Sequence, residues 1–414
     1  MRGQLELTPT YSVQLDGKIL ANAHAVGNDL DGATELLFGS LTGKVSVWKC
    51  SGEAVQWRSC AVDGSVTSIC LDYSVTGSLR VIVATAEGTC AVFCSVDGVE
   101  ELQLCFEFTV ALNICDIVHL NDELIVATRD GRVLVYKRND AEAGKVAEYA
   151  QVAQMEIDDE VEKLIVVQPE LLDSDASPQL LVRCFSGRVF CLSGPSTLGA
   201  AHKREIVPWN GPLTSGDGMT FVVADIELNG SRGMVALVSM CGLVSLFSSS
   251  GEKQWDYQLP EAVVNADKLE MTVPEGGRQD AIVVCTWTGQ LYAIQSERKL
   301  VRFRMPLPGC SMFCVGICDL TAQVDPTIVG ISTSGTVFVY RDVQDTLIRG
   351  LQDVTLAHKI KQSSVFAQLD TLEKRKDVMM KLCTTFPQAV VSAEITMPSV
   401  EDLIKVMLTV PVQP

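Results

Sequence analysis

Four stretches set carboxylates, amides or hydroxyls at alternate positions: Asp29-Leu30-Asp31-Gly32-Ala33-Thr34-Glu35, Asp72-Tyr73-Ser74-Val75-Thr76-Gly77-Ser78-Leu79-Arg80, Asp225-Ile226-Glu227-Leu228-Asn229-Gly230 and Asp319-Leu320-Thr321-Ala322-Gln323. Oxygen ligands at alternate positions, with a glycine for the sharp turn, are how a linear loop holds calcium. The ion needs about six to eight oxygens, and each stretch falls short. Asp225, Glu227, Asn229 and Gly230 keep the opening of such a loop, but Arg232-Gly233-Met234 brings no closing carboxylate. Arg80 stands where the second stretch needs its last acid, and would repel a cation. Asp29, Asp31, Gly32 and Glu35 are too closely spaced, and Asp319–Gln323 is poorer still. All four read as turns in which Asp, Asn and Gly cap backbone groups.

Other chemistry is equally thin. His24, His119, His202 and His358 are far apart in the chain. Cys310, Cys314 and Cys318 share one face of a predicted strand, where neighbours four residues apart lie ~13 Å from each other, too far to share a metal. No GxSxG, HExxH or P-loop pattern occurs. The expectation is therefore no catalytic, cofactor-binding or metal residue, no cofactor, and no enzyme. The 15 cysteines, an odd number without a CxxC pair, sit mostly in apolar runs such as Ala281–Cys285. They read as free thiols acting as small core hydrophobes in a reducing compartment.

The residues between the candidate loops must be held by something large. The chain has 414 residues, 47% of them hydrophobic, and a mean hydropathy of +0.22, so a large core is possible. A net charge of −18 disfavours nucleic acid and anionic membrane surfaces as direct partners. The N-terminal MRGQLELTPTYSVQ lacks the apolar stretch of a signal peptide, and no apolar run approaches the ~18 residues of a membrane span. A soluble cytosolic protein is expected, and the sequon Asn229-Gly230-Ser231 reads as chance.

One phrase recurs seven times: about four apolar residues, two or three small or polar ones, glycine, then an alternating apolar strand. It appears as LLFGSLTGKVSVW (36–48), VIVATAEGTCAVF (81–93), LIVATRDGRVLVY (124–136), LLVRCFSGRVFCL (180–192), VALVSMCGLVSLF (235–247), IVVCTWTGQLYAI (282–294) and IVGISTSGTVFVY (328–340). The glycines, at 43, 88, 131, 187, 242, 289 and 335, are 45, 43, 56, 55, 47 and 46 residues apart. That period fits four-stranded blades, and each phrase reads as a β-hairpin with a glycine turn. Further apolar runs precede each hairpin (21–27, 66–72, 114–120, 161–167, 220–228, 262–271, 310–320), and candidate fourth strands follow most of them (55–57, 101–108, 253–259, 299–305). The predicted fold is all-β, a seven-bladed β-propeller of FG-GAP/WD40-like character over residues 1–343. Leu5–Leu15 is placed as the outer strand of the seventh blade, closing the ring.

Residues 344–414 are expected to form a mainly helical extension packed on the disc. Val365, Leu369, Leu372 and Met379 recur at helical spacing, and Asp370/Lys374 and Asp377/Lys381 make i,i+4 pairs. Ser399–Asp402 resembles a capping box before a helix at Leu403–Leu408, with a possible strand at Ala389–Met397. The extension balances eight basic against eight acidic residues, so the propeller carries the whole negative charge.

Glu35–Lys49 (ELLFGSLTGKVSVWK), Lys268–Phe303 (KLEM…VVCTWTGQLYAI…RKLVRF) and Val337–Val343 (VFVYRDV) resemble the integrin-alpha FG-GAP repeat-containing protein two family. The resemblance covers most of residues 17–343. It implies a non-enzymatic propeller subunit of the KICSTOR complex, joined to a kaptin-like propeller and a large scaffold subunit. In that family the hetero-oligomer holds the GATOR-type GTPase-activating complex for Rag GTPases at the lysosomal surface and restrains mTOR signalling when amino acids or glucose are scarce. It implies a cytoplasmic protein, peripheral to lysosomes through its partners, with no membrane insertion of its own. The competing expectations are a propeller subunit of a ciliary or vesicle-coat adaptor, which shares fold and acidity, and a calcium-binding extracellular module, which would need complete loops and paired cysteines.

Overall fold

The computed structural model describes residues 2–4, 7–28, 33–50, 55–72, 80–94, 99, 101–120, 122–139, 148–167, 179–192, 204–209, 220–228, 231–248, 252–272, 280–295, 300–306, 308–318, 324–341, 343–350, 390–394 and 405–409. Residues Arg2–Gln352 form one compact unit and Asp353–Pro414 belong to another.

The seven hairpin phrases become the two middle strands of seven antiparallel sheets. In blade one the order from the axis outwards is Ile19–Asn28, Thr34–Ser40, Lys44–Lys49, Val55–Ala61. Blades two to six repeat it, with inner strands Val66–Asp72, Ile114–Leu120, Val161–Val167, Thr220–Leu228 and Val263–Leu269. Middle strands are covered on both faces and read as unbroken apolar runs; every residue of Thr34–Ser40 and of Ala281–Thr286 is buried. Outer strands are wet on one side and alternate, as in Tyr11–Gln14 and in the end of Gln103–Thr109.

All seven turn glycines adopt positive φ, from 81° to 94°. At Gly131 a Cβ would stand 2.2 Å from the Ile157 carbonyl oxygen, because the Ile157 amide donates to the Gly131 oxygen at 2.8 Å as the outer strand leaves its blade. The turn thus needs glycine twice over, for its dihedral and for the approach of a second backbone. A hydroxyl completes it. Ser40, Thr85, Thr128, Ser239, Thr286 and Ser332, each three residues before its glycine, accept the amide of the residue after that glycine at 2.9–3.3 Å. Blade four has Cys184 at this place.

Ring closure uses the N-terminal segment, as its sequence position suggests. Blade seven takes Ser311–Cys318, Val324–Ile331 and Thr336–Tyr340 from the far end of the chain, and Tyr11–Gln14 pairs antiparallel with Thr336–Tyr340. Arg2–Gln4 adds a fifth strand, parallel to Leu300–Arg304, at the edge of blade six, which sequence reading did not anticipate. The core is a chain of layers between blades: one cluster spans blades seven, one and two, and others join two to three, three to four, four to five, five to six and six to seven. Period-2 alternation builds them, since Val81 and Val83 face blade one while Ile82 and Val92 face blade three.

After blade seven comes a helix over residues 343–350. Val343 and Leu347 bury against the blade six–seven layer with Phe303 and Tyr340, and Gln344 accepts the Thr272 amide at 2.9 Å. The helical positions Val365–Lys381 lie outside the described residues. The expected strand is present as Val390–Glu394, but the helix expected at Leu403–Leu408 is not formed. Lys405–Thr409 is a strand paired antiparallel with Val390–Glu394; β-branched Val390, Val391, Val406 and Thr409 suit a ladder better than a helix.

The cysteines also depart from expectation at one point. Cys94, ending the third strand of blade two, is bridged to Cys105 of the neighbouring outer strand, where the register shifts between Leu104 and Phe106. Cys94 is half-buried and Cys105 exposed. The buried thiols are free, and burial pushes Cys90 and Cys184 up to about 12, keeping them from acting as thiolates.

Candidate functional site

Polar side chains gather in two places where an active site would be sought, the inner strands around the axis and the ends of the first hairpins. Each inner strand of blades two, three, four and six carries a register shift at its start, and the residue that follows is Ser68, Asp116, Lys163 or Asn265. A bulge re-aims the side chains near it, and here it brings polar groups together at the axis. Asp116 accepts the Ser68 hydroxyl at 2.7 Å and the Ile117 amide at 3.0 Å on one oxygen, and the Leu164 amide at 2.8 Å on the other. It therefore ties blade three to blades two and four.

Blade six is tied to blade seven in the same way. Asn265 accepts the Met312 amide at 3.2 Å and donates to the Met312 carbonyl, while Asp267 accepts the Cys314 amide at 2.7 Å and the Lys268 amide at 2.8 Å. Thr34 of blade one accepts the Cys318 amide of blade seven at 2.8 Å. Asn22 of blade one reaches across the axis, donating to the carbonyls of Cys115 at 3.2 Å and Glu162 at 3.0 Å. The His24 ring stacks on Phe313 of blade seven, centroids 4.1 Å apart, with Nδ1 2.8 Å from the Ala21 carbonyl.

Burial raises the carboxyls of Asp116 and Asp267, opposed by the amides they accept and by the charge of Lys163. Burial lowers the His24 imidazole to about 3, with Lys163 adding repulsion. Lys163 thus acts on groups of blades one, three and six. Asp116, Asn265, Asp267, Thr34 and Asn22 are spent on backbone groups of neighbouring blades. The axis works as an internal staple.

The loop residues fare likewise. Asp72, which opens the second candidate loop, is fully buried and turned to blade three. Its oxygens lie 3.3 Å from the Tyr149 hydroxyl, 3.6 Å from His119 Nε2 and 3.7 Å from Arg138 Nη1. Burial lowers the His119 imidazole despite the neighbouring carboxylate. Arg80 stands opposite Asp72 in the strand register. A carboxylate so placed serves an inter-blade network. Glu35 is buried at 2% exposure, opposite Lys49 in register.

Asp29, Asp31, Gly32, Ser74, Thr76, Gly77, Asn229, Gly230, Asp319, Thr321 and Gln323 lie outside the described residues, as do His202, His358 and the side chains of Asp225 and Glu227. Among the described residues no group of three His, Cys, Asp or Glu side chains could hold a metal ion. Cys310 is buried just before the strand that carries Cys314 and Cys318. The signal for the staples was present but unread: a β-branched residue two positions before a polar one, as in Val66/Ser68, Ile114/Asp116, Val161/Lys163 and Val263/Asn265.

Fold and site together define a seven-bladed β-propeller whose described interior polar groups join its own blades. Residues 219–345 match the family model described as integrin-alpha FG-GAP repeat-containing protein 2, a span that contains the Lys268–Phe303 and Val337–Val343 phrases. The KICSTOR complex protein ITFG2 of Mus musculus is 22% identical over 378 residues, covering 80% of this chain and 84% of that protein. Its Bos taurus counterpart is 22% identical over 382 residues, covering 80% and 70%. The chain is thus similar to this family, at 22% identity over most of its length. Among solved structures, BBS1N in complex with ARL6DN has a TM-score of 0.56 at 17% identity, covering 82% of this chain and 98% of that one. Sqt1 of Saccharomyces cerevisiae has a TM-score of 0.54 at 10% identity, covering 81% and 99%. These structures share the fold. No helix among the described residues is long and apolar enough to cross a membrane.

Proposed function

We propose that the protein is a non-enzymatic scaffold subunit of a KICSTOR-like complex, with residues 1–343 as its propeller and 344–414 as an extension. In this reading it joins a kaptin-like propeller and a large scaffold subunit. The assembly recruits the GATOR-type GTPase-activating complex to the lysosomal surface and lowers mTOR signalling when amino acids or glucose are scarce. It has no catalytic, cofactor or metal residue and reaches lysosomes through its partners. The observation that carries the reading is the relation, over 80% of the chain, to a protein named for that complex. The commitment of Asp116, Asp267, Asn265 and Asp72 to inter-blade contacts supports it, because groups tied to backbone amides are not free for acid–base work. Affinity purification of the tagged protein from its own cells tests it. Recovery of kaptin-like and Rag-regulating subunits is expected. Recovery of ciliary or coat-adaptor subunits in their place would refute it.

A further inference from the structure

The seven hairpin turns and the connections between blades emerge on one face of the disc, as the bonds Leu41 N to Lys18 O, Asn113 N to Ala86 O and Trp287 N to Ala262 O show. This face has two unlike sectors. In blades six and one, on either side of blade seven, it bears exposed apolar side chains: Trp287 at 52%, Leu20 at 40% and Leu41 at 36% exposure. Trp287 stands at a turn tip, held from both sides by the Ala262 carbonyl and the Gly309 amide. Charge in blade one's part is offset locally, with Lys44 3.4 Å from Asp16.

In blades two to four the turns and connections bear Asp63, Glu87, Asp130, Asp158, Asp159 and Glu160. Among the described residues three basic side chains share those loops, and all are engaged within the fold. Arg129 lies 4.6 Å over the Phe185 ring, Arg132 bonds Asp130 at 2.7 Å and Arg188 bonds Asp159 at 2.7 Å, so six carboxylates face three guanidinium groups and the sector stays negative. The Ser65 amide, 2.7 Å away, holds Glu87 below the usual carboxylate range. Leu112, 65% exposed, stands within this sector.

We propose that this face docks a partner-protein segment whose large apolar side chains sit on the Trp287–Leu41–Leu20 sector and whose Lys or Arg residues cover the acidic sector of blades two to four. The inference deepens the scaffold reading and rests on it. Rigid exposed tryptophans anchor protein contacts because they bury much area at low entropic cost. The acidic sector sets the sign of the occupant, since it repels anionic lipid headgroups and phosphate backbones and attracts a basic chain.

The test uses the full chain in its native assembly. A photo-crosslinking phenylalanine analogue replaces Leu41 and, as a control on the outer edge of blade three, Val152, which is 54% exposed. Leu41 is expected to capture a segment of another chain with more Lys and Arg than Asp and Glu, and Val152 is not. That segment, made as a peptide, should bind the wild type, at least about tenfold more weakly the Trp287→Ala variant, and several-fold more weakly the Asp158→Lys/Glu160→Lys variant with a flatter salt dependence. Matching melting curves of the three proteins exclude misfolding. Capture of a second copy of this chain, of lipid, of an acidic segment or of nothing at Leu41 overturns the proposal, as do affinities that neither variant moves. Gel filtration separates this failure from that of the scaffold reading. A large assembly that survives Trp287→Ala without Leu41 capture leaves the scaffold reading standing, whereas a wild type that elutes alone refutes it.

Discussion

Replacing Asp116 by alanine removes a side chain that hydrogen-bonds to three consecutive blades. The Leu164 amide loses its acceptor at 2.8 Å, and the Ser68 hydroxyl loses one at 2.7 Å. The Ile117 amide keeps the Ser68 oxygen at 3.2 Å and is partly spared. Two buried donors left without partners cost about 1–3 kcal/mol each, so the loss lies near 2–6 kcal/mol. Burial of the carboxyl opposes folding, as its raised pKa shows, which places the expected value toward the lower end, about 2–3 kcal/mol. Ser68→Ala removes one of the same bonds and should cost ~1 kcal/mol. Urea unfolding at neutral pH, followed by tryptophan fluorescence, measures both variants and the double variant. Because the two residues share a bond, their effects should fall short of additive by about 0.5 kcal/mol or more. A cost below about 0.5 kcal/mol for Asp116→Ala, or full additivity with Ser68→Ala, would refute the staple.

Three further outcomes follow from the same geometry. Asp72→Ala withdraws the buried anion facing Arg138, His119 and Tyr149 and should cost about 3–5 kcal/mol in the same assay, as breaking a buried pair does; a cost under 1 kcal/mol would remove the network from the argument. Gly131→Ala pays about 1–2 kcal/mol for its φ of 93° and typically 1–3 more for the Cβ forced against Ile157, whereas Gly309→Ala, at φ 69° with nothing within 4 Å, pays the first part alone; equal thermal shifts would contradict the close approach. His24 titrates at 6.5 when unfolded and at about 3 when folded, so the native state binds fewer protons between those values, and the stability His24 contributes is present above about 6.5 and lost as pH falls toward 3. Asp116 and Asp267, raised above 3.8, act with the opposite sign: their contribution is present below 3.8 and lost as pH rises through their folded values. His24→Gln should therefore flatten the acid limb of a stability–pH curve, and an unchanged slope would show that the ring is not buried against Phe313.

The blades were legible because one physical requirement repeats without drift. The distance from the second strand to the third is fixed by a tight turn that only glycine fits, so Gly43 through Gly335 keep their place in the phrase and, in every blade but the fourth, the hydroxyl three residues earlier keeps its own. Closure by Tyr11–Gln14 could be read from the shortage of a fourth strand in blade seven. The staples were not legible in the same way. The gap between the first and second strands varies from two residues after Leu120 to eleven after Val167, so Ser68, Asp116, Lys163 and Asn265 fall at changing distances from the turn glycine although they share one structural place. Arg2–Gln4 is too short for alternation to show, and its partner lies some three hundred residues away. Ser399–Asp402 carries a capping-box signal for a helix at Leu403–Leu408, but Lys405–Thr409 instead pairs with Val390–Glu394 as a strand.

Asp72 shows why a cation-loop outline and a scaffold role are compatible. Its position at the end of an inner strand is where such a loop begins, and a carboxylate there with a metal would fix the loop to the strand. Here Tyr149, His119 and Arg138 from the next blade surround that carboxylate, so it joins blade to blade. Asp72, Asp116, Asp267 and Asn265 together keep the blades in register. That rigidity is what a face made of seven separate turns requires, because Trp287 and Leu41 are two blades apart and can meet one partner only while the ring between them holds its shape.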